Sequence, residues 1–106
     1  MDGALINTSR TSDGTVVVEI RGEVDVSSAD RLCRILVDAA TRLRPTRIVV
    51  NLLHLTFIDS TGIGALATGR NAARSVGVRF AVRHPSAFVS AQFRQTGLHD
   101  VLSADR

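Results

Sequence analysis

Hydrophobic and polar positions divide the chain into short segments of two different periods. Residues 15–21 (TVVVEIR) are rich in β-branched side chains and predict a strand. Residues 4–10 (ALINTSR) predict an earlier, edge-type strand. The turn signal Ser12-Asp13-Gly14 joins the two as a hairpin. Gly22 ends the second strand, and GEVD at 22–25 makes a polar step out of the sheet. The period then changes. Ala29, Leu32, Cys33, Leu36, Ala40 and Leu43 recur at i, i+3, i+4, i+7, i+11 and i+14, one apolar stripe of an amphipathic helix. Ser27-Ser28-Ala29-Asp30 has the form of a capping box with Ser27 as N-cap, and Pro45 stops the helix.

Residues 47–53 (RIVVNLL) form a nearly continuous apolar run, the pattern of a central strand buried on both faces. Beyond it, Ile63, Leu66, Ala67, Ala73 and Val76 return to helical spacing, and Gly77 stands where a helix-ending glycine belongs. Residues 78–82 predict another strand. His84-Pro85-Ser86 opens a third helix with apolar positions Phe88, Val89 and Phe93, closed by Thr96-Gly97-Leu98. A short tail, residues 101–106, follows. The order ββαβαβα predicts an α/β fold: a mixed β-sheet with crossover helices. At 106 residues, without repeat or linker, residues 1–106 are expected to form a single domain.

Composition narrows the function classes. With 44% hydrophobic and 22% charged residues the chain reads as globular, and no apolar run approaches the ~20 residues of a membrane span. The N-terminus, MDGALINTSR, lacks the basic then apolar order of a signal peptide, so a cytoplasmic location is expected, with no membrane partner. All 13 basic residues are arginine, spread from Arg10 to Arg106 with one local cluster, Arg42, Arg44 and Arg47. Tyr and Trp are absent, and the four Phe do not interleave with a basic stripe. The net charge of +3 therefore reads as a solvated surface, without direct nucleic-acid binding. His54, His84 and His99 have no ligand spacing, and the lone Cys33, on the apolar stripe, reads as a core thiol. Neither a metal site nor a cofactor is expected.

The densest chemistry lies in TFIDSTGIGAL, residues 56–66, between the apolar run and the next helix. Loops beyond the carboxyl ends of parallel strands are where function collects in open α/β sheets. Ser60 there suits a helix N-cap, worth about 1 kcal/mol. The glycines argue for more. Gly62, Gly64 and Gly69 each cost about 1 kcal/mol in a helix, and two of them bare the first turn to another surface. An exposed hydroxyl at a helix N-terminus is also a favourable place for a phosphate. From the residues alone, capping and modification both remain open for Ser60.

Enzyme readings fit poorly. Asp59-Ser60-Thr61-Gly62 has one residue too many for an aspartic-protease Asp-Thr/Ser-Gly, and a helix follows it. Ser60 lacks a GxSxG elbow, and no histidine is tied to it. A phosphate loop would need a lysine, and the chain has none. A nucleotide-binding or weakly hydrolysing enzyme has only the loop in its favour. No catalytic residue is assigned.

GEVD at 22–25, IVVNLLHLTFIDSTGIGAL at 48–66, residues 78–82, His84-Pro85 and Thr96-Gly97-Leu98 together resemble bacterial anti-sigma factor antagonists, single-domain proteins of the STAS family. The resemblance covers nearly the whole chain, with one small departure, Asn51, where many members carry Asp. It implies a partner-switching cycle. The unphosphorylated domain would bind an anti-sigma factor with serine kinase activity and release a sigma factor. Phosphorylation of the serine after the loop aspartate, Ser60, would switch it off, and a serine phosphatase would reset it. Asp25 matches the acid beside the acceptor, and Asp59, Ser60, Thr61, Gly62 and Ile63 match the partner-binding surface. The alternative is a STAS interaction module without phospho-switching, in another signalling or transport assembly.

Overall fold

The computed structural model describes residues 3–97; Leu98, His99 and the tail at 101–106 lie outside them. Within them the elements run β1 (Ala4–Arg10), β2 (Thr15–Val24), α1 (Val26–Asp38), β3 (Arg47–Ile58), α2 (Ser60–Ser75), β4 (Arg79–Arg83) and α3 (Ala87–Gln95). The four strands form one mixed sheet in the order β1-β2-β3-β4. β1 is antiparallel to β2, and β2, β3 and β4 are mutually parallel, so α1 and α2 are the crossover helices of the predicted α/β fold.

Local chemistry sets the hairpin between β1 and β2. Asp13 accepts hydrogen bonds from the Thr11 hydroxyl and from the Thr15 amide, while Gly14 takes φ of 87°. The Thr11 hydroxyl foremost, then the Thr15 amide, holds the Asp13 carboxyl well below the usual carboxylate range, at about 2.

Alternation along the strands builds the core. Val16, Ile48 and Phe80 lie side by side across β2, β3 and β4, as do Val18, Val50 and Val82, and all six are buried. They form one cluster with Leu32 and Leu36 of α1, Ile63, Leu66 and Ala73 of α2, and Val89 and Phe93 of α3. The expectation that 47–53 is buried on both faces is corrected. Val49 and Asn51 are half-buried and Leu53 is exposed, because α1 and α2 pack together over one side of the sheet.

β3 also runs further than the periodicity suggested, to Ile58, and β2 passes Gly22 to Val24. The cause is two register shifts at which β3 carries one residue more than β2. Asn51 and His54 pair with Glu19 and Arg21, then Leu55 and Phe57 with Gly22 and Glu23. Asn51 Oδ1 accepts from the Leu53 amide at 3.0 Å at the first shift, and an aspartate carboxylate accepts that bond equally well. The shifts break strict alternation, so that Leu52, Leu55 and Ile58 are all buried, and both parallel strands end together at Val24 and Ile58.

The α1 stripe is shorter than its sequence pattern. Ala29, Leu32, Leu36 and Ala40 are buried, but Leu43 is exposed and Cys33 only half-buried. A π-helical turn, Ala39–Leu43, closes this helix, and its wider winding rotates Leu43 off the core face.

Candidate functional site

Where β2 and β3 end, both continue directly into helices. Val24 pairs with Ile58, and the Asp59 amide donates to the Val24 carbonyl at 3.2 Å. The next residues, Asp25 and Asp59, are the N-caps of α1 and α2. Two helix N-termini therefore open side by side at the carboxyl end of the two central strands, each closed by an aspartate.

Both caps differ from the sequence reading. Ser60 suits the α2 N-cap by residue type, yet Asp59 fills that place, its Oδ1 accepting from the Thr61 amide at 3.0 Å and the Gly62 amide at 3.1 Å. Ser27 was expected to cap α1 with Asp30 as its reciprocal partner. Instead Asp25 accepts from the Ser27 amide at 2.9 Å, and Ser28 Oγ accepts from the Asp25 amide at 3.2 Å. In each case the aspartate directly after the strand reaches the second and third amides of the helix, so the following serine moves inside it.

This one-residue shift releases the Ser60 hydroxyl. Ser60 is exposed, at the first position of α2, and no hydrogen bond to its hydroxyl occurs among the described residues. Thr61 is exposed as well, but its hydroxyl donates to Asp59 Oδ1. For the Asp59 carboxyl, burial pushes the pKa up, and the Thr61 hydroxyl and the two amides outweigh it; the net position is below the ordinary value. Asp59 is thus a carboxylate at neutral pH, beside a free hydroxyl and a helix N-terminus.

The glycines separate into two kinds. A Cβ on Gly62 would lie 2.7 Å from both Val24 Cγ1 and Ile58 Cγ1, and one on Gly69 would lie 2.7 Å from Leu36 Cβ. Their absence of side chain seats the first turn of α2 on the strand ends and α2 against α1. Of the three glycines within α2, Gly64 alone faces open space. The idea that two glycines bare the first turn outward is corrected to one.

Of the six residues predicted for partner contact, Ser60 and Thr61 are exposed, Asp25 and Asp59 half-buried, and Gly62 and Ile63 buried. Ile63 belongs to the core and offers no side chain to a partner. Two features escaped the sequence reading. Val26, the first residue of α1, is 75% exposed. Beside it, Val26, Asp30 and Cys33 of α1 and Thr61, Ala65 and Thr68 of α2 line a shallow groove of about 270 Å³. An apolar residue directly after an N-cap aspartate was the available signal for Val26; the groove arises only when α1 and α2 pack.

Among the described residues no group of three His, Cys, Asp or Glu side chains is arranged to hold a metal ion. No helix among them is long and apolar enough to cross a membrane.

The architecture is shared with solved structures. The chain matches the unphosphorylated form of the anti-sigma factor antagonist SpoIIAA at 25% identity and a TM-score of 0.76, over 90% of this chain and 83% of that one. An anti-sigma factor antagonist from Mycobacterium paratuberculosis matches at 23% identity and 0.77, over 93% and 80%. The Bacillus cell fate determinant SpoIIAA in its phosphorylated form matches at 22% and 0.74, over 96% and 91%. The model of the STAS domain matches residues 8–105, and with this fold and these landmarks the chain belongs to the STAS domain family.

Proposed function

We propose that this protein is an anti-sigma factor antagonist switched by phosphorylation of Ser60. In its unmodified state it binds an anti-sigma factor with serine kinase activity, in the cytoplasm, and so releases a sigma factor. The phosphorylated state does not bind, and a serine phosphatase restores the first. One observation carries the reading: of the hydroxyls at the strand-end junction, that of Ser60 is both exposed and unbonded, at the N-terminus of α2.

Chemistry gives the switch its direction. A phosphate adds about −1.5 to −2 charges beside the Asp59 carboxylate and near the end of β2 where Asp25 lies. Toward an acidic or phosphate-bearing partner surface this turns a close fit into a like-charge contact costing several kcal/mol. About 3 kcal/mol already weakens binding more than a hundredfold. The α2 amides and dipole hold the phosphate locally, so the fold persists while the interface fails. The partner contacts follow from exposure: Ser60 and Thr61, with the half-buried Asp25 and Asp59 behind them and Gly64 one turn along α2.

The test is peptide mass spectrometry after incubation with ATP and candidate anti-sigma kinases of the host, on wild type and Ser60→Ala. A single phosphate on Ser60, absent from the variant, is expected. A stable complex with no phosphate transfer would instead favour a non-switching STAS module, and modification at Thr61 would move the acceptor.

A further inference from the structure

The arginines are scattered along the chain, yet the fold gathers six of them at one end of the sheet. Arg47 and Arg79 open β3 and β4 as direct partners across the two strands, level with Thr15 at the start of β2. Arg10 closes β1 opposite Val16, within one residue of that level. The segments that connect the strands here are tied in a row. The Thr46 amide donates to the Gly14 carbonyl at 3.2 Å, and the Arg79 amide donates to the Thr46 carbonyl at 3.3 Å. Arg44 immediately precedes this tie, and Arg42 and Arg74 lie in the last turns of the helices that return to the same end.

Two of the six have a structural reason. Arg42 and Arg74 sit at the negative ends of their helices, and Arg42 also pairs with Asp38 at 3.6 Å. The other four have none. No side-chain hydrogen bond or ion pair to Arg10, Arg44, Arg47 or Arg79 occurs among the described residues. The Asp13 carboxylate attracts Arg47, but its hydrogen bonds go to Thr11 and Thr15. The chain accepts local costs at this end. Arg47 and Arg79 set like charges side by side on neighbouring strands, which is destabilising. Arg44 holds φ of 46°, a left-handed conformation that favours glycine. Leu43, between Arg42 and Arg44, is 46% exposed. Positions that break local rules together are where function is expected.

We propose that this end of the molecule docks on an anionic lipid surface, with the arginines at the headgroups and Leu43 inserted among them. This replaces the expectation of a merely solvated surface without a membrane partner. Arginine forks bind phosphate and carboxylate oxygens, and phosphatidylserine presents both. Basic groups around an exposed apolar side chain combine the two attractions that hold a protein at a membrane surface. A nucleic-acid surface fits less well, because no aromatic platform is present here. The chain has no Tyr or Trp, Phe80 and Phe93 are in the core, and Phe57 stacks on Phe88 of α3. Acids orient the molecule. Glu23, Asp25 and Asp59 lie at the opposite, carboxyl end of the strands, where an anionic surface repels them. Ser60 stands at that far end, so the docking is independent of the proposed switch.

The experiment is co-sedimentation of the full chain with vesicles of phosphatidylcholine, alone or mixed equally with phosphatidylserine, beside an electrophoretic shift of duplex DNA. Binding is expected to the mixed vesicles only, weakening as salt rises. Each arginine near such a surface contributes about fivefold, so Arg47→Gln with Arg79→Gln should weaken binding about 25-fold. Circular dichroism checks the fold of each variant. Arg10→Gln with Arg44→Gly should give a similar loss without touching the β3–β4 pairing, since glycine suits the backbone at 44. Arg21→Gln with Arg34→Gln removes the same charge from exposed positions elsewhere and should leave binding nearly unchanged. Leu43→Ser should weaken binding most visibly at high salt, where charge is screened and the apolar contact remains. Absence of binding to the mixed vesicles at low salt overturns the proposal. Equal loss in all three arginine pairs overturns it too, because net charge alone would then suffice. Retention of duplex DNA without retention on vesicles assigns the patch to nucleic acid instead. A Leu43→Ser variant that binds as wild type overturns the insertion of Leu43.

Discussion

α1 and α2 start alike and use their starts differently. Asp25-Val26-Ser27-Ser28 and Asp59-Ser60-Thr61-Gly62 occupy matching positions after neighbouring parallel strands. In both, the aspartate caps the helix, and the hydroxyl residue two places later hydrogen-bonds to that aspartate. The differences are at the first and third helical positions. α1 has Val26 and then Ser28, whose buried side chain completes a reciprocal cap. α2 has Ser60, whose hydroxyl is unbonded, and then Gly62, which yields the reciprocal cap in exchange for close seating on Val24 and Ile58. One start is saturated internally. The other keeps one hydroxyl exposed and without a hydrogen bond among the described residues. The two starts therefore differ in role at two positions of the four, and the first of these is the one that leaves a hydroxyl open to the proposed modification.

The largest expected effect comes from exchanging that position. In Ser60→Ala combined with Val26→Ser, a hydroxyl moves to the equivalent place on α1. Phosphate incorporation by the cognate kinase, read by mass spectrometry, should fall to background and not be recovered at residue 26. Recovery there would mean that any N-terminal helix serine suffices.

Next comes packing. Gly62→Ala forces a methyl against Val24 and Ile58 and should destabilise the fold by about 1–3 kcal/mol in urea unfolding. Gly64→Ala, facing open space in the same helix, should instead stabilise it by about 1 kcal/mol. If both changes destabilise equally, the division of the glycines into inward and outward kinds is wrong.

Smaller still is the cap itself. Asp25→Ala and Asp59→Ala should each cost about 1 kcal/mol, from the loss of amide partners at the helix start. The pH dependence of Asp59 follows from its lowered pKa. The unfolded chain takes up the proton first as pH falls, so this contribution is present above the ordinary aspartate value and is lost as pH drops through the folded value. Asp59→Asn keeps an oxygen acceptor for the cap and should flatten that part of the acid unfolding curve. Asp13 loses its contribution in the same direction, down to about pH 2, and remains in the variant as an internal reference.

Much of this was legible in the chain. Element order and type followed from period: β-branched TVVVEIR, the helical stripe from Ala29 to Ala40, and the turn at Asp13-Gly14. The location of the site followed from an acid, hydroxyls and glycines crowded behind an apolar run. The exact caps did not, because Asp and Ser are both good N-caps and adjacent candidates differ by fractions of a kcal/mol. The length of β3 was hidden by its two register shifts, which depend on pairing with β2 rather than on local pattern. The groove between α1 and α2 was likewise set by how the two helices pack, a tertiary fact with no local signature.

The measurement that bears most directly on the proposed switch is calorimetric titration of candidate anti-sigma kinases of the host with unmodified protein and with protein phosphorylated at Ser60. Circular dichroism would establish that both forms are folded. Binding weakened more than a hundredfold by the phosphate, with the fold intact, is the predicted result. Equal affinity of the two forms would contradict the account and leave Ser60 as an ordinary first residue of α2.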